Sequence, residues 1–394
     1  LSAHNAPSPE QLVRTAADLV PLVRSKAAWS DEHRRLHEDV VDALAGSGLL
    51  NLRRPVRYGG YETNTRTVVD VVATLAGGDG SFAWNTSTWL IGSWMAGMFA
   101  DHVQDEVFST PSVRVCAVLS PTATATPADG GLVVNGEWHF MSGAHHSQWQ
   151  VVITMAPAPD GTGLWPVMAL VPLSDLEVVD DWHTNAMVGT GSVTTVARDL
   201  FVPLDRTIPM VSVLQDNYLS AANADSAVFT QPMVLTGASG FSGVAIGLAR
   251  AAREEFFTRL PQRKITYTSY EKQSDAPLTH LQVAAATLRL DEAEFHAYRL
   301  ADWLDDKAVA REQWKMEDRT RYRGIFGRMV QLATESVDIL ATASGASSLY
   351  RTVSMRRIQN DLQALSLHAL MHPDTNAELY GRVLCGLEPN TLYL

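Results

Sequence analysis

The hydrophobic period of this chain changes twice, and that restricts it to one broad architecture. From residue 8 to about 110, apolar residues recur at helical spacing, as in Leu12, Ala16, Leu19 and Val23. Over 113–203 the apolar runs become short and β-rich. Turn clusters at Asp129-Gly130-Gly131, at 157–163 and at Gly189-Thr190-Gly191-Ser192 separate them. From Gln231 long helical segments return, at about 243–260, 278–304, 322–341 and 355–371. The expected fold is α+β and mostly α. It has an N-terminal helical domain (1–111), a central antiparallel β-domain (112–230) and a C-terminal helical bundle (231–394).

Local signals sharpen this outline. Ser8-Pro9-Glu10-Gln11 carries an N-cap serine, a proline at the first helical position and a glutamine placed for a capping box. A second helix over about 37–44 stops at Gly46-Ser47-Gly48, and two more are expected near 67–76 and 81–99. The last of these carries Trp84, Trp89 and Trp94 and is apolar on nearly every side, so it should be buried. Asp216 to Asp225 reads as a loop, and the charged residues of 302–323 as a solvated face.

Several chemistries are excluded. The net charge of −12, without a basic stripe, argues against nucleic acid and anionic membranes as partners. Cys116 and Cys385 are the only cysteines, too few for a disulfide framework or a thiolate metal cluster, and they fit a cytoplasmic location. The first residues lack a basic region followed by an apolar run, so no leader is expected, and no apolar run is long enough to span a bilayer. Gly78-Asp79-Gly80-Ser81-Phe82-Ala83 has the form of a dinucleotide fingerprint but follows a helix, not a strand. There is no Walker motif, no nucleophile elbow and no Glu-x-x-His tetrad for two irons. His368 and His372 have zinc-helix spacing, yet Ala369 stands where the glutamate belongs and Pro373 follows, so no metal is expected.

The stretch Gly136-Glu137-Trp138-His139-Phe140-Met141-Ser142-Gly143 carries the chemistry. It lies between the strand-like runs Leu132-Val133-Val134-Asn135 and Gln150 to Met155, as in a hairpin. Glycine lets the backbone approach a flat ligand closely, and serine offers a hydroxyl that donates or accepts. Two further blocks accompany it in order: Trp182 to Ser192, closing at Asp199-Leu200-Phe201-Val202-Pro203, and Asn360 to His368, with Tyr380-Gly381-Arg382 beyond. Together these blocks resemble the acyl-CoA dehydrogenase fold, and more closely the reduced-flavin-dependent oxygenase components of two-component aromatic hydroxylases.

That resemblance implies a homotetramer with a four-helix bundle at its C-terminal end. It implies reduced FMN or FAD between β-domain and bundle, reacting with molecular oxygen through a C4a-hydroperoxide, and a separate NAD(P)H:flavin reductase. By family position Ser142 and Gly143 meet the flavin, with Ser142 at N5, and Trp149 lies near the ring. The loop Ser344-Gly345-Ala346-Ser347-Ser348 approaches the flavin of a neighbouring subunit. His368 is the polar group over the reacting centre, where a histidine titrating near neutrality would take a phenol proton or help peroxide depart. Arg263 is a candidate for the flavin phosphate. Trp89, Gly92, Ser93 and Ala117 are candidates for the substrate pocket. Relatives acting on simple phenols carry a histidine where Gly92 stands and a serine near Ala117 or Val118. The loss of both implies a larger, more apolar pocket and a polycyclic or heteroaromatic substrate, as in natural-product tailoring. Rival readings are an acyl-CoA dehydrogenase-like oxidoreductase, which lacks its base because Ala369 occupies that position, an N- or S-oxygenating relative, and a non-catalytic flavin-binding protein. Arg356 and Arg357 are expected to pair with Asp361 at the bundle edge.

Overall fold

Each helical segment starts where the chain supplies a cap. In the computed structural model, which describes residues 6–158 and 161–394, α1 spans Pro9–His33. The Ser8 hydroxyl accepts from the Gln11 amide and the Gln11 side chain accepts from the Ser8 amide. That reciprocal pair is worth roughly 1 kcal/mol. The stretch read for a leader, and part of the 157–163 turn, lie outside the described residues.

Helix α2 (Glu38–Ser47) ends on Gly48 in the left-handed conformation, and α3 spans Thr65–Ala76. Asp79 caps α4 (Gly80–Ala96) by accepting the Phe82 amide at 2.9 Å, so the fingerprint-like glycines join two helices. Every residue of α4 except Ile91 is buried. A short α5 (Asp101–Val107), not anticipated from the sequence, leads into the sheet.

The sheet contains β1 (Val115–Ala117), β2 (Ala123–Ala128), β3 (Gly131–Met141), β4 (Trp149–Pro157), β5 (Leu164–Pro172), β6 (Glu177–Val179), β7 (Val193–Pro203) and β8 (Thr207–Pro209). Its order is β6-β7-β3-β2-β4-β5-β8, with β1 beside β4. Two expectations need correction. The sheet is not purely antiparallel, because β4 runs parallel to both β1 and β2. For the same reason β3 and β4 are not a hairpin. The chain leaves β3 at Met141, crosses β2 and returns as β4, so Ser142 and Gly143 lie on a crossover.

After α6 (Met210–Leu214) come α7 (Met233–Arg259), α8 (Pro277–Val309), α9 (Met316–Ala343), α10 (Ser354–Ser366) and α11 (Pro373–Leu384). With its following turn, α7 is long and apolar enough to cross a membrane, contrary to the sequence reading, but 89 % of that apolar window is buried inside the fold. It is the central helix of the bundle. One apolar core joins Val69 and Val72 of α3, Val244 of α7, Leu290 of α8 and Val330 of α9.

The segment expected to be helical over 355–371 breaks at Ser366, so His368 sits in a turn and not on a helix. Two causes act together. The His368 Nδ1 accepts the Leu370 amide, diverting a backbone donor, and Pro373 disfavours helical geometry at His372.

Candidate active site

The crossover after β3 places Ser142 at the end of a line of hydroxyls. Ser142 Oγ lies 2.7 Å from Ser192 Oγ, which lies 2.6 Å from Thr190 Oγ1, and Thr190 donates to the Met187 carbonyl at 2.7 Å. A carbonyl only accepts, so Thr190 spends its single proton on Met187. Ser192 must then donate to Thr190, and Ser142 to Ser192. The Trp84 indole N–H fills one lone pair of Ser142 at 2.9 Å. The remaining Ser142 lone pair is left to accept a donor from a ligand. A reduced flavin presents N–H at N5, whereas an oxidised flavin presents a lone pair there.

Trp84 belongs to the site as well as to the core, a role the sequence did not disclose. Its ring stacks on Phe241 of α7 at 4.4 Å and meets the His368 ring edge-on at 5.3 Å. Burial among these rings, with Arg323 nearby, pushes the His368 imidazole down to about 4. It is therefore neutral at pH 7. Because Nδ1 accepts from Leu370, the ring proton resides on Nε2, and the residue is a donor rather than the near-neutral base expected from the sequence.

Phe140 was also missed. It is 68 % exposed and holds φ at +63°, two costs that an aromatic residue rarely carries together. Its carbonyl accepts the Ser142 amide at 2.9 Å, and its ring meets Trp182 edge-on at 6.0 Å. An open aromatic face two residues from an unfilled acceptor fits a flat heterocycle with an N–H edge.

Other sequence candidates fall into three groups. Ala117 is half-buried and packs, like Leu370, against the apolar cluster that contains Trp149. Ser93 is buried and its hydroxyl has no partner. Trp89 and Gly92 are corrected. Trp89 is 1 % exposed and supports the crossover from behind, donating to Ser147 Oγ, which donates to the Gly143 carbonyl. A Cβ on Gly143, whose φ is +75°, would lie 2.6 Å from the Trp89 Nε1. A Cβ on Gly92 would lie 2.0 Å from the Val115 carbonyl oxygen, so Gly92 lets α4 touch β1 and opens no pocket. Trp149 stands two strands from Met141, roughly 10 Å away across the sheet, with the Arg206 guanidinium over its ring.

Arg263 donates to Gln273 at 2.8 Å and to Ser347 at 2.9 Å, and Arg259 donates to the same Ser347 hydroxyl. With Gly345 and Ala346 they line a groove of about 690 Å³. Burial and the neighbouring Arg259 lower the Arg263 guanidinium, as crowding of like charges should. Ser344 is the exception, because its hydroxyl donates to Leu340 within α9. The groove lies at the far end of α7 from Phe241, roughly 27 Å along the helix. That is farther than a ribityl chain spans between a flavin ring and its first phosphate.

The expected ion pair at Asp361 is also corrected. Arg356 donates to Gln359, and Arg357 lies 3.8 Å from both Asp31 and Asp79. Asp361 instead accepts the Met187 amide at 2.6 Å.

The family model of the acyl-CoA dehydrogenase C-terminal domain matches residues 239–373. The oxygenase subunit HsaA, a flavin-dependent monooxygenase of Mycobacterium tuberculosis, is 28 % identical over 386 residues, covering 96 % of each chain. The oxygenase component of p-hydroxyphenylacetate 3-hydroxylase from Acinetobacter baumannii is 26 % identical, covering 94 % of this chain and 88 % of its own. Among solved structures, XiaF from Streptomyces sp. in complex with FADH2 and glycerol superposes with a TM-score of 0.91 at 29 % identity, covering 97 % of both chains. Fold and site thus define a flavoprotein with the acyl-CoA dehydrogenase fold. Within that class the chain is a reduced-flavin-dependent monooxygenase, the oxygenase component of a two-component system.

Proposed function

We propose that this chain hydroxylates an aromatic or heteroaromatic compound, using molecular oxygen and a reduced FMN or FAD delivered by a separate NAD(P)H:flavin reductase. When bound, the reduced flavin supplies the electrons that activate oxygen. Ser142 accepts the N5 proton's hydrogen bond and, by holding that proton, slows the loss of peroxide. His368 donates from Nε2 to an oxygen at the reacting centre. Trp84, Phe241 and Phe140 exclude water around it. The single observation that carries this reading is the one-way hydroxyl line that leaves Ser142 an open acceptor within one indole's width of a neutral histidine.

Ala117 favours a substrate held mainly by apolar contact. The case for a larger ring system now rests on that residue, since Gly92 is taken up by packing. A dehydrogenase reading lacks support because Ala369 stands beside His368 and no carboxylate lies between Asp361 and Asp374. The distance of the Arg263 groove from Phe241 supports a cofactor contact made by a second copy, as a homotetramer would provide. The exposed stripe Leu281, Leu288 and Phe295 on α8 is apolar surface suited to such an assembly.

The test mixes anaerobically reduced FMN or FAD with the protein, adds oxygen, and screens phenols and indoles for an oxygenated product. Product coupled to flavin oxidation supports the proposal. Immediate stoichiometric peroxide with every substrate and both flavins defeats it.

A further inference from the structure

Between α1, α4 and α10 lies a group of charges that the site described above does not use. The Arg357 guanidinium lies 3.8 Å from both Asp31 and Asp79, Asp361 feels its charge without pairing to it, and Asp79 and Asp361 are almost fully buried. Asp79, Arg357 and Asp361 line a recess of about 150 Å³ whose other charged groups are Arg24, Glu254 and Glu255. Asp361 Oδ2 would touch a Cβ on Gly80 at 3.0 Å, so the carboxylate is wedged against the first turn of α4. Its other oxygen accepts the Met187 amide at 2.6 Å.

Met187 is not an ordinary loop residue. It holds φ at +49°, and its carbonyl gathers the Thr190 hydroxyl, the Thr190 amide and the Trp182 indole. A side chain in that conformation is disfavoured unless its surroundings fix it. Asp361 supplies a fixed acceptor from α10, seven residues before His368. The Thr190 carbonyl in turn accepts from Asn85 of α4 and from the Gly143 amide.

We infer that Asp361 is a positioning residue for oxygen transfer: by holding the Met187 amide it fixes the turn whose Thr190 and Ser192 hydroxyls orient Ser142, and so keeps Ser142 in register with His368. Resting on the roles proposed for Ser142 and His368, this links the two halves of the site through one side chain. Burial and the neighbouring Asp79 and Asp31 raise the Asp361 carboxyl well above the usual range, against the opposing pull of the Met187 amide and Arg357.

The test uses the full chain with Asp361→Ala, Asp361→Asn, Thr190→Val and Ser142→Ala. Amide hydrogen exchange is read over residues 187–192, and peroxide release from reduced FAD on adding oxygen is read separately. Asp361→Ala should speed exchange at Met187 and peroxide release by about tenfold each, the effect of losing one buried hydrogen bond. Asp361→Asn keeps an acceptor oxygen and should restore both toward wild type. Thr190→Val breaks the same line without touching the buried charges and should reproduce the faster release, even if Asp361→Ala does not fold. Unchanged exchange in Asp361→Ala, or unchanged release in Thr190→Val, overturns the inference. So does an Asn variant as impaired as the Ala variant. If Ser142→Ala releases peroxide no faster than wild type, the role of Ser142 fails, and the positioning role falls with it. Faster release in Ser142→Ala with none in Asp361→Ala sinks the positioning role alone.

Discussion

The Trp84 indole donates to the Ser142 hydroxyl at 2.9 Å while its ring stacks on Phe241 and abuts His368. One buried side chain therefore touches the β-domain crossover, the central bundle helix and the turn after α10. Its N–H and the direction of the hydroxyl line decide how Ser142 meets a ligand.

Replacing Ser142 with alanine removes the open acceptor but leaves a small buried side chain. Reduced flavin should bind roughly tenfold more weakly and lose peroxide faster. Trp84→Phe keeps the stack on Phe241 and removes only the donor, so its effect should be smaller and in the same direction. Anaerobic fluorescence titration and stopped-flow peroxide assays read both. Equal binding by all three proteins would count against an acceptor role.

His368 sets a pH dependence whose sign follows from its lowered pKa. The folded imidazole titrates near 4 and the unfolded one near 6.5. Its neutral form costs nothing above pH 6.5. As pH falls from 6.5 toward 4, the unfolded chain takes up the proton first and stability declines. His368→Gln should remove that part of the acid sensitivity in melts between pH 4.5 and 7. His368→Leu, which has no side-chain donor, should also lower product yield at pH 7, where loss of the Nε2 donor is felt. A wild-type hydroxylation profile governed by a group near 6.5 would contradict a neutral donor.

Asp31 gives the opposite sign. Burial and the neighbouring Asp79 raise its carboxyl to about 6, against 3.8 for the free side chain. The protonated form suits the fold, so the stabilisation is complete below pH 3.8 and is lost as pH rises through 6. Asp31→Asn should melt higher than wild type at pH 7.5, and the gain should vanish toward pH 4. The charges facing Asp31 are Asp79, Asp361 and Arg357, and none of them is altered by the substitution.

Gly92→Ala separates packing from pocket. A Cβ 2.0 Å from the Val115 carbonyl oxygen forces α4 off β1 and should cost about 3 kcal/mol, at the upper end of overpacking. Urea unfolding measures it. If the variant is as stable as wild type and only substrate preference changes, Gly92 lines the substrate cavity after all.

Arg263→Ala should weaken reduced-flavin binding and lower the melting temperature only modestly, because Ser347 is exposed at the groove while the buried Gln273 side chain loses the donor to its amide oxygen. Size-exclusion chromatography in parallel tests whether assembly is needed for that effect.

The amino-acid order by itself determined the elements that depend on local chemistry. Ser8 with Gln11, Gly48 after α2, and the change from helical to strand period each act within a few residues, so they can be read without a partner. Ser142, His368 and the loop with Ser347 were marked by the family resemblance of their sequence blocks, and Arg263 separately as a phosphate candidate. Contacts between distant segments decided the rest. The strand crossed by the chain after Met141 turned an apparent hairpin into a crossover. Gly92 became a packing contact only because Val115 lies against it. Burial made His368 a neutral donor, and the Met187–Ser192 turn gave Ser142 its direction. Hydrogen-bond polarity and desolvation are properties of neighbours in space, and no spacing along the chain encodes them.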